Sequence, residues 1–80
     1  MVNYESLVKA IVSPLIIFAE DLKVESTTDG DMIVLEVFVK QEDLGRVIGR
    51  NGKIASAIRT LMYASSSKEG KKVRVNINSL

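Results

Sequence analysis

The sequence predicts an α+β domain, its elements ordered helix, strand, strand, helix, helix, strand, with three helices on one face of a three-stranded mixed sheet. Three observations carry that expectation. An apolar stripe at helical spacing opens the chain, two strand-like runs meet at an Asp-Gly turn, and a helix pair separates the second strand from the third. Because helices intervene, the last connection is a crossover and those two strands should be parallel.

Residues 3–22 read as a helix with Asn3 as N-cap. Leu7, Ile11, Leu15, Phe18 and Leu22 fall on one stripe, which Val8 and Ala19 widen. Pro14 lacks an N–H and crowds the preceding turn, but the apolar phase continues across it, so one bent helix is expected. Ile16 and Ile17 lie outside the stripe, as a broadened core face or as an exposed patch for a partner. A strand over residues 23–27 follows, ended by Thr28-Asp29-Gly30-Asp31. Residues 32–39 form the clearest strand, with Ile33, Leu35, Val37 and Val39 inward and Val34, Glu36 and Phe38 on a mixed outer face. A short helix over residues 41–48 runs into Gly49-Arg50-Asn51-Gly52, and another begins at once. In that helix Ile54, Ile58, Leu61, Met62 and Ser65 share the inward face, while Ser56, Arg59, Thr60 and Tyr63 point away. The polar run 65–70 ends it. Residues 71–78 then alternate, Val73, Val75 and Ile77 inward against Lys72, Arg74 and Asn76 outward.

Eighty residues, 46% hydrophobic and 26% charged, fit one globular domain. The chain has no cysteine and no histidine, which removes disulfides, thiolate nucleophiles, imidazole bases and the usual zinc and haem sites. No cofactor or metal is expected, and an enzyme is the least favoured class. The longest apolar stretch, residues 10–19, is broken by Ser13-Pro14 and is too short to cross a bilayer. No signal peptide is evident, so a cytoplasmic protein is expected. Charge divides sharply along the chain. Residues 1–43 carry three basic and nine acidic side chains, whereas residues 44–80 carry eight basic ones and a single acid, Glu69. Either a polyanion partners the second half, or the halves neutralise each other in the fold.

The stretch from Gly45 to Ile54, Gly-Arg-Val-Ile-Gly-Arg-Asn-Gly-Lys-Ile, holds the most specific signal. Two glycines three apart between helices allow a sharp reversal. The helix that follows begins with amides lacking internal partners and with the positive end of its dipole, a setting that suits phosphate. Arg46, Arg50 and Lys53 add positive charge. A Walker A loop is excluded because Val47 stands where its first glycine belongs and Ile54 where Ser or Thr belongs; a dinucleotide fingerprint fails on spacing and on the preceding helix. Taken alone, Gly-x-x-Gly also fits a tight inter-helix turn with no ligand.

Val47-Ile48-Gly49-Arg50-Asn51-Gly52-Lys53 resembles the signature of KH domains, which grip single-stranded nucleic acid through a Gly-x-x-Gly loop. With Ala55-Ser56-Ala57-Ile58-Arg59-Thr60, the chain resembles the small stand-alone bacterial KH proteins of the KhpA type along essentially its whole length. The resemblance implies a type II KH-like fold as a single domain, with residues 1–31 an N-terminal extension and 32–80 the β-α-α-β core. It implies RNA binding through Arg46, Val47, Ile48, Gly49, Arg50, Asn51, Gly52 and Lys53, with Arg50, Asn51 and Lys53 on phosphates. Bases would lie in an aliphatic groove formed by the two helices and the central strand. Val47 and Ile48 are groove or core groups, Ile48 the more core-like of the two. Ala55 stands where many KH domains carry Ile or Val, which implies a shallower groove and weaker base selectivity. Tyr63 is a contact residue or a surface ring resting on Arg59, and Lys72 and Arg74 read as solvated.

The partners implied are single-stranded RNA, a second copy in a homodimer, and a larger KH-containing protein of the KhpB/Jag type. The resemblance also implies an RNA chaperone linked to growth and cell shape. The competing class is a protein-interaction or dimerisation module with little RNA binding, suggested by Ile16, Ile17 and Tyr63.

Overall fold

The computed structural model describes residues 3–80. Helix α1 spans Tyr4–Val12, and Asn3 caps it by accepting the Ser6 N–H on Oδ1 at 3.1 Å. Its buried line is Tyr4, Val8 and Val12, four residues apart, with Leu7, Ile11 and Leu15 packed beside it. The expected single bent helix over residues 3–22 is not formed. At Pro14 the chain tightens into a 3-10 turn over Ser13–Leu15, becomes extended at Ile16, and makes a second 3-10 turn over Ala19–Asp21. Pro14 supplies no N–H for the next helical bond. The amides of Ile17 and Phe18 are then taken by the Asp43 carboxylate at 3.0 and 2.9 Å instead of by carbonyls one turn back. Ile16 packs against the core and Ile17 is 62% exposed, so each half of the expectation holds for one residue.

Strand β1 covers Lys23–Asp29, two residues longer than expected, and pairs antiparallel with β2, Met32–Val39, from Asp29↔Met32 to Lys23↔Phe38. Gly30, at φ +63, opens the two-residue reversal between them. Helix α2 (Gln41–Ile48), a 3-10 turn (Arg50–Gly52) and helix α3 (Lys53–Ser67) carry the chain across to β3, Lys72–Ser79. β3 pairs parallel with β2, Met32↔Lys72 through Val39↔Ser79, as the crossover requires. Strand order is β1-β2-β3, which leaves β3 as an edge.

Val8, Val12, Leu35, Val37, Val39, Val47 and Met62 are fully buried, with Ile58 and Val75 nearly so; together they join the helical layer to one face of the sheet. The inward line of α3 is Ala55, Ile58, Met62 and Ser66. Leu61, expected inside, is 53% exposed, and Ser66 takes the core position. Ser66 fits because its Oγ donates to the Tyr63 carbonyl at 3.1 Å. Its own carbonyl accepts the N–H groups of Glu69 and Lys71 where the helix ends. At the same end of the layer the Tyr4 hydroxyl donates to Glu69, tying α1 to the α3–β3 connection; that bond, with burial and the neighbouring carboxylate, pushes the Tyr4 pKa up to about 12. No helix among the described residues is long and apolar enough to cross a membrane.

Candidate nucleic-acid interface

Helix α2 is anchored at its start by a side chain the sequence reading passed over. Asp43, fully buried, accepts the Ile17 and Phe18 amides and lies 3.2 Å from Arg46 Nη1. Burial alone would raise its pKa, but the two amide donors and the Arg46 guanidinium outweigh that and hold the carboxyl below its ordinary value. The acid thereby joins the 16–18 segment to the helix that ends at the glycine loop. Arg46 also donates to the Glu42 carbonyl at 2.7 Å, so its head group is held along α2.

The reversal follows from backbone geometry. Gly49 donates to the Gly45 carbonyl at 2.9 Å, closing α2, and leaves at φ +75, ψ 174. A Cβ there would lie 2.6 Å from Ile54 Cγ1 and 2.9 Å from Ile54 Cβ, so both conformation and space demand glycine. Asn51, at φ 57, is the one non-glycine residue with positive φ among those described; asparagine tolerates that region better than most. Gly52 follows at φ +72 with open space where a Cβ would be. The Gly52 N–H returns to the Gly49 carbonyl at 3.2 Å and the Lys53 N–H to that of Arg50, so the turn itself uses two of the amides expected to be unpaired. α3 starts with no side-chain cap, which leaves the positive end of a 15-residue helix uncovered by any carboxylate or hydroxyl.

Around this turn Arg50, Asn51 and Lys53 are exposed and close in sequence, so three of the expected site residues project from one reversal. Val47 is different: it lies wholly inside the core and has no surface for a ligand, which corrects its reading as a contact. The core role suggested for Ile48 belongs to Val47, since Ile48, the last residue of α2, is only partly buried. The helical phase decides between them, because α2 buries Asp43 and Val47, four residues apart, on one line.

An open groove of about 600 Å³ lies beside α3, bordered by the edge strand β3 and by Met32 of the central strand. Arg59, Tyr63 and Ser67 form its helical wall; Lys72, Arg74 and Asn76 belong to the strand side. Arg59 Nε donates to the Val75 carbonyl at 3.1 Å, bracing the helix against the strand edge. Asn76 Nδ2 bonds Glu36 at 2.5 Å. The sequence reading left Lys72 and Arg74 as solvated charges. The signal that could have joined them to the loop is the composition of α3, which contains no acidic residue from Lys53 to Ser67.

An α-β-β-α-α-β chain with a parallel last pair and a Gly-x-x-Gly reversal between its second and third helices is a type II KH domain. Solved structures share the fold. Era from Aquifex aeolicus superposes with a TM-score of 0.67 at 16% identity, covering 96% of this chain and 30% of that one. Era in complex with MgGDPNP and a 16S ribosomal RNA fragment gives 0.64 at 17% identity, covering 95% of this chain and 29% of that one. The chain belongs to the KhpA/KhpB KH-domain family, which matches residues 5–77. It is 44% identical over 73 residues to the RNA-binding protein KhpA of Listeria monocytogenes, covering 91% of this chain and 96% of the relative. The KhpA of Lactiplantibacillus plantarum is 38% identical over 77 residues, covering 96% and 91%.

Proposed function

We propose that this chain is a non-catalytic RNA-binding protein that holds the backbone of single-stranded RNA across Gly49-Arg50-Asn51-Gly52. The observation that carries the reading is the loop geometry: an exposed turn, bare of Cβ atoms at both ends, with Arg50, Asn51 and Lys53 around the uncapped start of α3. The naming of its relatives as RNA-binding KhpA supports it. In this reading Gly49 and Gly52 let the sugar-phosphate chain approach, Arg50 and Lys53 neutralise phosphates, and Asn51 offers its amide. Arg46 acts from a distance while Asp43 and the Glu42 carbonyl hold it. Ile48 borders the site, and Val47 contributes only by fixing α2 in the core.

Exchange of Arg50 and Asn51 together for Asp tests the assignment. Two acids replace a cation and an amide at the phosphate path, so binding of single-stranded RNA in a fluorescence titration should fall by about 100-fold or more. Both side chains are exposed, so the melting temperature should stay within a few degrees. Affinity that survives the exchange removes the loop from the RNA path. For the unaltered chain, log K should fall linearly with log salt, by about 0.7 for each phosphate neutralised.

The same reading extends to a cytoplasmic RNA chaperone acting in growth and cell shape, pairing with a second copy and with a larger KH protein. Exposed Ile17 and Leu61 favour such pairing, and linking two weak RNA sites raises avidity. Sedimentation with and without RNA reads it directly.

A further inference from the structure

Asn51-Gly52 is the one Asn-Gly pair in the chain, and it lies inside the glycine loop. Asn51 is exposed, and its side-chain amide makes no hydrogen bond to any described residue. The other asparagines sit in tighter settings. Asn3 caps α1 through Oδ1 and precedes Tyr4, while Asn76 bonds Glu36 and precedes Ile77. Asn78 lies within β3, before Ser79.

The backbone around Asn51 is poised to open. At φ 57, ψ 25 it is left-handed, a conformation that a residue with a Cβ holds at a cost. Opening the turn relieves that cost and breaks the bond from the Gly52 N–H to the Gly49 carbonyl, 3.2 Å long, and that from Lys53 to Arg50. Gly52 has no side chain, and the space where a Cβ would stand is open, so its nitrogen can be approached freely. Rotation at Asn51 then brings that nitrogen onto the side-chain carbonyl carbon. Arg50, Lys53 and the positive start of α3 favour the deprotonated amide nitrogen and the oxyanion formed by its attack.

We propose that Asn51 is a self-modification site, at which the loop converts to aspartate and isoaspartate and loses its grip on RNA. The Gly52 N–H gives its proton to hydroxide, and the nitrogen attacks Asn51 Cγ. The Cγ–Nδ2 bond breaks, Nδ2 leaves as ammonia with a proton from water, and a succinimide ring is closed. Water then adds to either ring carbonyl, and the C–N bond there breaks. Opening at Cγ leaves aspartate in an unchanged backbone; opening at the main-chain carbonyl leaves isoaspartate, whose backbone is longer by one carbon. Either product puts a carboxylate where a neutral amide stood, beside the uncapped start of α3. The helix dipole holds that charge, and it repels the phosphate that Arg50 and Lys53 would take. The loss of RNA rests on the loop reading above; the ring chemistry does not.

The full chain, incubated in mildly alkaline buffer, is followed by peptide mapping with mass spectrometry that separates the Asn, Asp and isoAsp forms. Asn51 should convert ahead of Asn3, Asn76 and Asn78, at a rate rising in proportion to hydroxide, and Asn51→Gln should stay unconverted because its ring closes far more slowly. Asp29-Gly30 can close the same ring with loss of water and no change of charge, so the two positions are read separately. Asn51→Asp carries the product charge without the longer backbone and should weaken single-stranded RNA by about tenfold. The isoaspartyl form, separated by ion exchange, should bind no better than this variant. Conversion at Asn51 no faster than at the other asparagines overturns the proposal. So does undiminished binding by both Asn51→Asp and the isoaspartyl form while the double Arg50, Asn51 exchange still abolishes it. If the double exchange binds undiminished as well, the loop reading falls and the loss of grip falls with it.

Discussion

Two of the glycine reversals in this chain, both at positive φ, differ in what they require. Gly30 opens the β1–β2 hairpin at φ +63 and Gly49 opens the loop between α2 and α3 at φ +75. A Cβ at Gly30 would meet nothing within 4 Å, whereas at Gly49 it would run into Ile54. The hairpin needs only a permissive backbone; the loop needs an empty space as well, because α3 folds back over its own entry. Their charges also oppose. Asp29 and Asp31 flank Gly30, while Arg50 and Lys53 follow Gly49, so a polyanion is repelled at one reversal and attracted at the other.

Gly49→Ala should separate the two most strongly. At φ +75, ψ 174 Gly49 occupies backbone space essentially confined to glycine, where a Cβ costs about 1–3 kcal/mol, and displacing Ile54 adds about 1–3 kcal/mol. Thermal melting should therefore fall by more than about 10 °C for a domain of this size. Gly30→Ala should cost only the backbone part, about 1–2 kcal/mol, or about 4–16 °C. Equal losses at the two positions would erase the distinction.

A smaller effect, confined to acid, concerns the Asp43 anchor at the other end of α2. A carboxyl held below its usual pKa in the folded state contributes stability that is present above about pH 4 and is lost as pH falls through the lowered value. Acid titration followed by amide signals should move positions 16–18, whose amides the carboxylate holds, as Asp43 takes up its proton. Asp43→Asn should flatten the acid limb of the stability curve, and an unchanged limb would place the acid sensitivity elsewhere. The smallest change should come from Asn51→Gly. Relief of left-handed backbone strain is offset by greater freedom in the unfolded chain, leaving stability within about 0.5 kcal/mol.

The elements set by short-range signals were legible to the residue. The bounds of β2 and α2, Met32–Val39 and Gln41–Ile48, follow from an apolar β-branched run closed by Lys40 and from the glycine that ends the helix. α1 was read too long because Leu15, Phe18 and Leu22 keep helical phase although two of the amides between them bond to Asp43, some 25 residues away in sequence. In α3, Ser66 and Leu61 exchanged the places their hydropathy suggests. The serine satisfies its hydroxyl within the helix, and the leucine lies off the line of Ala55, Ile58 and Met62. At the candidate site, the resemblance carried by the glycine loop pointed to Arg50, Asn51 and Lys53, but helical phase inside the fold decided that Val47 is core and Ile48 is not.

By itself the sequence determined the order of elements, the parallel last pair, the hairpin and the Gly-x-x-Gly reversal, because each is encoded in a few neighbouring residues whose backbone preferences and periodicity act locally. Tertiary structure alone decided that Asp43 clamps the N-terminal segment to α2 and that Ile54 covers Gly49. It also decided that Arg59 reaches the edge of β3 and that Lys72 and Arg74 face a groove with Tyr63. Those outcomes depend on side chains brought together by packing, where burial and hydrogen-bond satisfaction outweigh local preference.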